Sequence, residues 1–462
     1  MPTTQLEPAA VALLDQHVRQ SEPWFRGSLR TLVEHPTVSP GGGHEVEIRR
    51  GAEAARDLIR ALGGQADLLE TGGTPAVFGG FPNPQARARV LIYNHLDVQP
   101  ADLDTWTKGE PFRLLIEEHP ERQFIYRGRG STDDKGPALS ALAAAAFAAA
   151  QKIPIDIRFL WETEEEVGSP HFDAALKGVR ERGFVPDGVI VSDTVWPSAS
   201  SPAMSYALRG SLQGILRLRT AFKEAHSGMA GGVARNPIRE LCLLVAAIQG
   251  AAFWKAGVIP PEPAELEDFM ASGFDAEYFR QSYGLDKIET HVPLEMMLRV
   301  WARPTFEVHG LAGGYMGPGL KTAVPKEAEL KVSFRLVHDQ NPVQIMDELR
   351  RFVHGFNPDV ELIATGQLQP YMGQLSGPLS AAVRAGMTRA FGKPPVAVRE
   401  GGSIGAVPMM AATLGVPIAF LPLSLPEHGY HAPDECFDWL QAAFGMRAFV
   451  HTFAALAHSS PR

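Results

Sequence analysis

The apolar run Ile155-Asp156-Ile157-Arg158-Phe159-Leu160-Trp161 leads, two residues on, into Glu164-Glu165-Glu166 and then at once Val167-Gly168-Ser169. A short run of this kind reads as a strand buried in a sheet that is covered on both faces. Carboxylates crowded at the end of such a strand repel one another and resist desolvation unless cations lie close by. Two further runs end in the same way, Ile92-Tyr93-Asn94-His95-Leu96-Asp97 and Val189-Ile190-Val191-Ser192-Asp193. Three strands thus deliver oxygen and imidazole groups at their C-terminal ends, which is where open α/β sheets build their sites. A solvated acidic face is the competing reading of the glutamate run, and its place directly after a buried strand weighs against it.

A chain of 462 residues exceeds what one hydrophobic core organises and predicts two domains. Up to about Arg209 helices and strands alternate, with helices expected over 45–62 and 136–151 and buried strands over 90–93, 155–161 and 189–191. This is the pattern of an α/β domain with a central, mostly parallel sheet. The texture then changes to strands with one wet face: Leu330, Val332, Phe334 and Leu336 alternate with Lys331, Ser333 and Arg335. Helices expected over 237–249 and 342–352, a Pro-rich acidic stretch over 260–267, a Gly-rich turn over 310–319 and a strand over 360–364 complete this segment. Strand, helix, strand, strand, helix, strand predicts a small α+β, ferredoxin-like sandwich inserted into the larger domain. Its sheet edge is suited to pairing with another subunit. From Ser376 the α/β texture returns, and the apolar run 417–421 is followed by Glu427, His428 and His431. The expected division is a catalytic domain in two parts, 1–208 and 373–462, around an inserted lid and dimerisation domain over 209–372.

The net charge of -9 leaves no basic footprint for nucleic acid. With 45% hydrophobic and 21% charged residues, neither disorder nor a membrane protein is favoured. Cys242 and Cys436 both lie in apolar segments and read as reduced thiols. The first twenty residues do not read as a signal peptide, and the apolar stretch 138–150 is too short to span a bilayer. A cytoplasmic protein is the expectation.

His95 and Asp97, spaced i, i+2 at a strand end, fall on one side of the sheet, so Asp97 is expected behind the imidazole to fix its tautomer. Taken alone this pattern is weak, since capping or a core histidine explains it as well. In Gly130-Ser131-Thr132-Asp133-Asp134-Lys135-Gly136-Pro137 a helix start accounts for one aspartate but not both. Asp133, rather than Asp134, is chosen as a carboxylate bridging two cations; no G-x-x-x-x-G-K-[ST] loop is present to support phosphate binding instead. Within the glutamate run, one carboxylate can bind metal while its neighbour stays free to move protons, as metal-assisted hydrolysis requires.

His95-Leu96-Asp97, the Asp133 loop, Glu165-Glu166-Val167-Gly168-Ser169, Ser192-Asp193, Ala225-His226-Ser227-Gly228 and His431 with Asp434-Glu435 occur in that order along nearly the whole chain. In this the sequence resembles the dinuclear metallopeptidases, the group of carnosinase, glutamate carboxypeptidase, aminoacylase and succinyl-diaminopimelate desuccinylase. The resemblance implies two divalent metal ions per subunit, zinc first, with manganese or cobalt as alternatives. His95, Asp133 and Asp193 would hold one ion, and Asp133, Glu166 and His431 the other. Glu165 would be the general base activating a bridging water, with Asp97 orienting His95. The spacings Glu-Glu-x-Gly-Ser and His-x-x-Asp-Glu select Glu165 over Glu164 and His431 over His428. His226 would stabilise the oxyanion from a partner subunit. Arg335 would clamp the substrate carboxylate, with Gly402 and Ser403 in a backbone anion nest of the loop 399–405 and Thr322 adding a contact.

These features imply a homodimeric metallopeptidase, paired through the inserted domain, that cleaves dipeptides or short peptides with a free C-terminal carboxylate. The alternative is an N-acyl amino acid amidohydrolase, a deacetylase or desuccinylase with the same metal centre. A non-catalytic scaffold relative would have lost a ligand or the base, and none is lost.

Overall fold

The computed structural model describes residues 6–459. Six strands form the central sheet in the order Gln65–Leu69, Ala76–Phe81, Ile155–Glu162, Ala88–His95, Gly188–Val191 and Ile418–Phe420. The last four run parallel, and the first two add antiparallel at one edge. Strands Ile155–Glu162 and Ala88–His95 are buried along almost their whole length, as runs apolar on both faces demand. The charged pair inside the first of them is reconciled locally, since Arg158 Nε donates to Asp156 Oδ1 at 2.6 Å.

Helices cover both faces. Pro8–Val33, Gly136–Ala150 and Trp439–Ser459 share one core through Phe25, Leu29, Leu139, Leu142 and Phe449. Phe172–Glu181 and Ala406–Leu414 cover the other face through Leu176, Val179, Val407 and Met410. The alanines of Gly136–Ala150 let that helix lie close to its neighbours while remaining nearly wholly buried.

The second sheet is antiparallel throughout, in the order Thr305–Gly313, Glu327–Leu336, Gly210–Arg219 and Val360–Leu368. Helices Pro237–Gly250 and Pro342–Phe356 pack on its apolar face. The segment Pro237–Lys255 is long and apolar enough to cross a membrane by length and composition. Its Leu241, Leu244 and Ile248 are nonetheless fully buried against this sheet.

Two stretches differ from expectation. The glycine-rich turn expected over 310–319 begins as strand, because Thr305–Gly313 pairs with Glu327–Leu336 well into it, with a register shift between Val308 and Gly310. The Pro-rich acidic stretch folds as the helix Pro263–Ala271, begun by a proline and by Glu265 accepting from the Glu262 N–H at 2.8 Å. Phe269 and Trp301 of this excursion pack ring to ring, centroids 5.0 Å apart, and both join the core of the larger domain.

Candidate active site

Strand register brings the chemistry together. Tyr93 pairs with Leu160 on one side and Val191 on the other, so His95 and Asp193, each two residues further on, leave the sheet at the same level. His95 Nε2 lies 2.8 Å from Asp133 Oδ1 and 3.8 Å from Asp193 Oδ2. The other oxygen of Asp133 lies 3.1 Å from His431 Nε2, which is also 3.1 Å from Glu166 Oε2. The side chains therefore form two groups, His95–Asp133–Asp193 and Asp133–Glu166–His431, each with its ligand atoms within 4.8 Å of one another and with Asp133 in both.

Asp133 is held there by its main chain. The buried carboxylate of Glu435 accepts from Gly130 N at 2.9 Å, Thr132 N at 3.0 Å and Asp133 N at 3.1 Å, and it pairs with Arg129 Nη1 at 2.9 Å. Gly130 has φ +82, and a Cβ there would stand 2.5 Å from the Val98 side chain, so the turn admits only glycine. The Asp133–Asp134 peptide bond is cis. Asp134 turns away from the two groups, accepting from Asn94 Nδ2 at 2.6 Å, while the same amide donates to Ser192 Oγ at 2.7 Å.

The three glutamates part company. Glu164 is tied outward, accepting from Thr74 N at 3.1 Å and meeting His171 Nδ1 at 2.9 Å. The N–H groups of Glu165 and Glu166 donate to Asp97 Oδ1 and Oδ2 at 3.1 and 3.0 Å, and Ser39 Oγ donates to the same carboxylate at 2.6 Å. Asp97 thereby does more than lie behind the imidazole, although its side chain also faces His95 Nδ1. Its carboxylate mainly shapes the glutamate turn, lying 3.4 Å from His95 Nδ1, while its main-chain carbonyl makes the shorter contact at 3.0 Å. Because a carbonyl only accepts, Nδ1 carries a proton, while Nε2 faces the carboxylates of Asp133 and Asp193, which, against the cost of burial, hold the imidazole well above its ordinary range; a cation placed there would meet the Nε2 lone pair instead. His428 lies elsewhere, between Asp438 Oδ2 at 3.0 Å and the Leu425 N–H at 3.1 Å.

Three supporting residues were not assigned roles from the sequence. Glu435 was read only as part of a motif, Gln99 Nε2 donates to Glu166 Oε2 at 2.7 Å, and Tyr430 OH donates to Asp193 Oδ1 at 3.3 Å. A chain-order pattern can flag them but cannot show what they touch.

Electrostatics agree with the geometry. Burial, then repulsion from Asp133 and Glu166 against the pull of His95, pushes Asp193 up to about 7. Burial drives Glu165 well above the usual carboxylate range, with Asp193 and Glu166 adding to it. His431 is desolvated, yet its bonds to Asp133 and Glu166 raise it to about 11. Protons thus take the place of positive charge among these carboxylates, and oxygen and imidazole donors at this spacing suit divalent cations.

The family model described as peptidase family M20/M25/M40 matches residues 91–455. The chain belongs to peptidase family M20. It is a peptidase that binds divalent metal. Among curated relatives, the Beta-Ala-His dipeptidase of Homo sapiens is 25% identical over 479 residues, covering 97% of this chain and 93% of its own length. The Cys-Gly metallodipeptidase dug1 of Schizosaccharomyces pombe is 28% identical over 404 residues, covering 84% of each chain. The structure of the di-peptidase Dug1p from Saccharomyces cerevisiae superposes with a TM-score of 0.84 at 22% identity, covering 97% of this chain and 98% of that one. Human carnosine dipeptidase 1 superposes with a TM-score of 0.83 at 24% identity, covering 98% and 100%. Both structures share the fold of this M20 chain.

Arg335 extends from the polar face of the inserted sheet and donates through Nη1 to Ser403 Oγ at 2.9 Å. The backbone nest read in the loop 399–405 is filled from within. Glu400 Oε1 takes the Gly401 N–H at 2.8 Å and the Gly402 N–H at 3.4 Å, and Oε2 takes that of Val195 at 3.2 Å. Gly402 is therefore not free to offer its N–H to a substrate while Glu400 stays in place. His226 and Thr322 lie together at the outer edge of the inserted domain, where Ala225–His226 pairs with Ala323–Val324 and Ser227 N donates to Thr322 O at 2.9 Å. His226 is exposed and belongs to neither metal-ligand group of its own chain.

Proposed function

We propose that this M20 peptidase is a cytoplasmic dipeptidase that holds two divalent ions, zinc first among them, and cleaves dipeptides or short peptides with a free C-terminal carboxylate. The observation that carries this reading is Asp133, one carboxylate shared by two ligand groups, with Glu165 beside both and a member of neither. His95 and Asp193 complete one set of ligands, and Glu166 and His431 the other. When bound, such ions supply Lewis acidity and lower the pKa of water. Glu165 accepts the proton of the attacking water on a carboxylate oxygen and returns it to the leaving amine. Arg335 clamps the C-terminal carboxylate, with Ser403 positioning the guanidinium. The dipeptidase names of the curated relatives, which align along most of the chain, support the same substrate class.

The oxyanion donor is His226 of the partner subunit, and Thr322 adds a contact from the same edge. Residues 209–372 then serve as lid and dimerisation domain. Support comes from the surface around His226, where Phe222, Met229, Val233, Met316 and Leu320 are all more than four-fifths exposed, as Phe222 at 94% illustrates. Apolar side chains concentrated on two neighbouring loops mark a protein interface, and a second copy places His226 at a site that its own chain does not reach.

The test is to incubate metal-loaded protein with unblocked dipeptides, longer peptides and N-acyl amino acids, with Glu165→Gln as control, and to identify products by mass spectrometry. Amino acids released from dipeptides support the proposal. Turnover of N-acyl amino acids alone replaces it with the amidohydrolase reading.

A further inference from the structure

A cavity of about 1230 Å³ lies between the polar face of the inserted sheet and the excursion that ends near residue 304. Arg209, Ser211 and Arg335 stand together in its wall. Arg335 pairs opposite Ser211 across the ladder, and Arg209, just before the strand that carries Ser211, lines the same cavity. Arms from neighbouring positions can converge on groups a few ångströms apart.

The two guanidiniums are unusual within this cavity. Arg299 and Arg303 in the same wall are paired with Glu289 and Glu295. Arg335 bonds only a hydroxyl, and Arg209 Nε bonds only the Gly401 carbonyl, at 2.7 Å. Arg209 Nη1 and Ser211 Oγ are buried with no hydrogen-bond partner. Burial and then repulsion from Arg335 bring Arg209 down to about 10, and the charges of Glu400 and Glu307 only partly offset this. A desolvated guanidinium beside a second one, with donors left open, is costly unless an anion arrives. The α-carboxylate of a dipeptide satisfies Arg335 and leaves Arg209 and Ser211 still open.

We propose that Arg209 and Ser211 form a second carboxylate seat, which receives the acidic side chain of the substrate's C-terminal residue. The preferred substrates are then dipeptides ending in aspartate or glutamate, whose two carboxylates meet the two guanidiniums. This rests on the dipeptidase reading and narrows it.

The test compares kcat/KM for Ala-Glu with its neutral isostere Ala-Gln, and Ala-Asp with Ala-Asn, using metal-loaded wild type, Arg209→Lys and Ser211→Ala. A charge-assisted bond made only by the acidic substrate predicts a wild-type preference of about tenfold or more, mainly in KM. Lysine keeps an N–H for Gly401 but loses the fork, so in Arg209→Lys the ratio falls toward one; Ser211→Ala lowers it partly. The wild-type ratio decides the matter even if the variants fold poorly. A wild-type ratio near one overturns the second seat and leaves the dipeptidase standing, whereas no turnover of any dipeptide overturns both.

Discussion

Glu435 offers the sharpest test of how the metal groups are held. Its two oxygens accept from three backbone N–H groups of the Asp133 loop and from Arg129, all between 2.9 and 3.1 Å, and its side chain has no solvent exposure. In Glu435→Gln one oxygen becomes an amide donor. Whichever way the amide is turned, its NH2 faces two donors, because Oε1 serves Thr132 and Asp133 while Oε2 serves Gly130 and Arg129. Removing one partner of a buried charge pair costs about 3–5 kcal/mol. Loss of a group that positions a metal ligand lowers metal affinity about 10–100-fold, and here the ligand is the one shared by both groups. Urea unfolding of metal-free protein reads the first effect, and competition against a chromophoric chelator reads the second. Glu164→Gln, altered on the outward side of the same cleft, should bind metal like the parent. A Glu435→Gln protein with the parent's urea midpoint and metal affinity would refute the claim that this carboxylate holds Asp133 in place.

Glu165→Gln should keep both ions and lose about 10²–10⁴-fold in turnover, whereas Glu166→Gln should lose one ion, as metal counting beside rate measurement will show. With Asp193 raised to about 7 and His431 to about 11, metal-free protein carries protons at neutral pH that metal must displace. Metal affinity should therefore rise with pH between 6 and 8, and titration calorimetry in buffers of different ionisation enthalpy should record proton release; a pH-independent affinity argues against these ligands. Neither His226→Ala nor Glu165→Gln should be active alone, but mixed dimers of the two should regain turnover, because one site then has both groups intact. An active monomer would remove His226 from the mechanism.

What was legible in the sequence followed burial and order. The central strands could be read because they are apolar on both faces, and their common level makes His95 and Asp193 neighbours without further information. The inserted sandwich was visible in the alternation from Leu330 to Leu336. The excursion before Thr305 was not visible as structure, because its short helices depend on distant partners such as the Phe269–Trp301 contact and have weak patterns of their own. The choice of Glu165 over Glu164 came from motif spacing alone. The structure shows a physical difference between the two, since Asp97 captures two successive N–H groups while the preceding carboxylate turns toward Thr74.

Asp97 and Glu435 solve a shared problem. Neither belongs to the two metal-ligand groups, yet each introduces a further carboxylate beside ligands that already repel one another. Each is surrounded by donors: two N–H groups and a hydroxyl at Asp97, three N–H groups and a guanidinium at Glu435. Carboxylates dressed in this way have both oxygens satisfied and impose direction on the loops they bind. Asp97 acts within the first half of the chain, but Glu435 reaches the Asp133 loop from beyond the inserted sheet. The shared ligand is thus fixed only when the segment following the insertion has returned to the larger domain. Metal affinity in Glu435 variants consequently reports on closure of the interrupted domain as well as on the local geometry of Asp133.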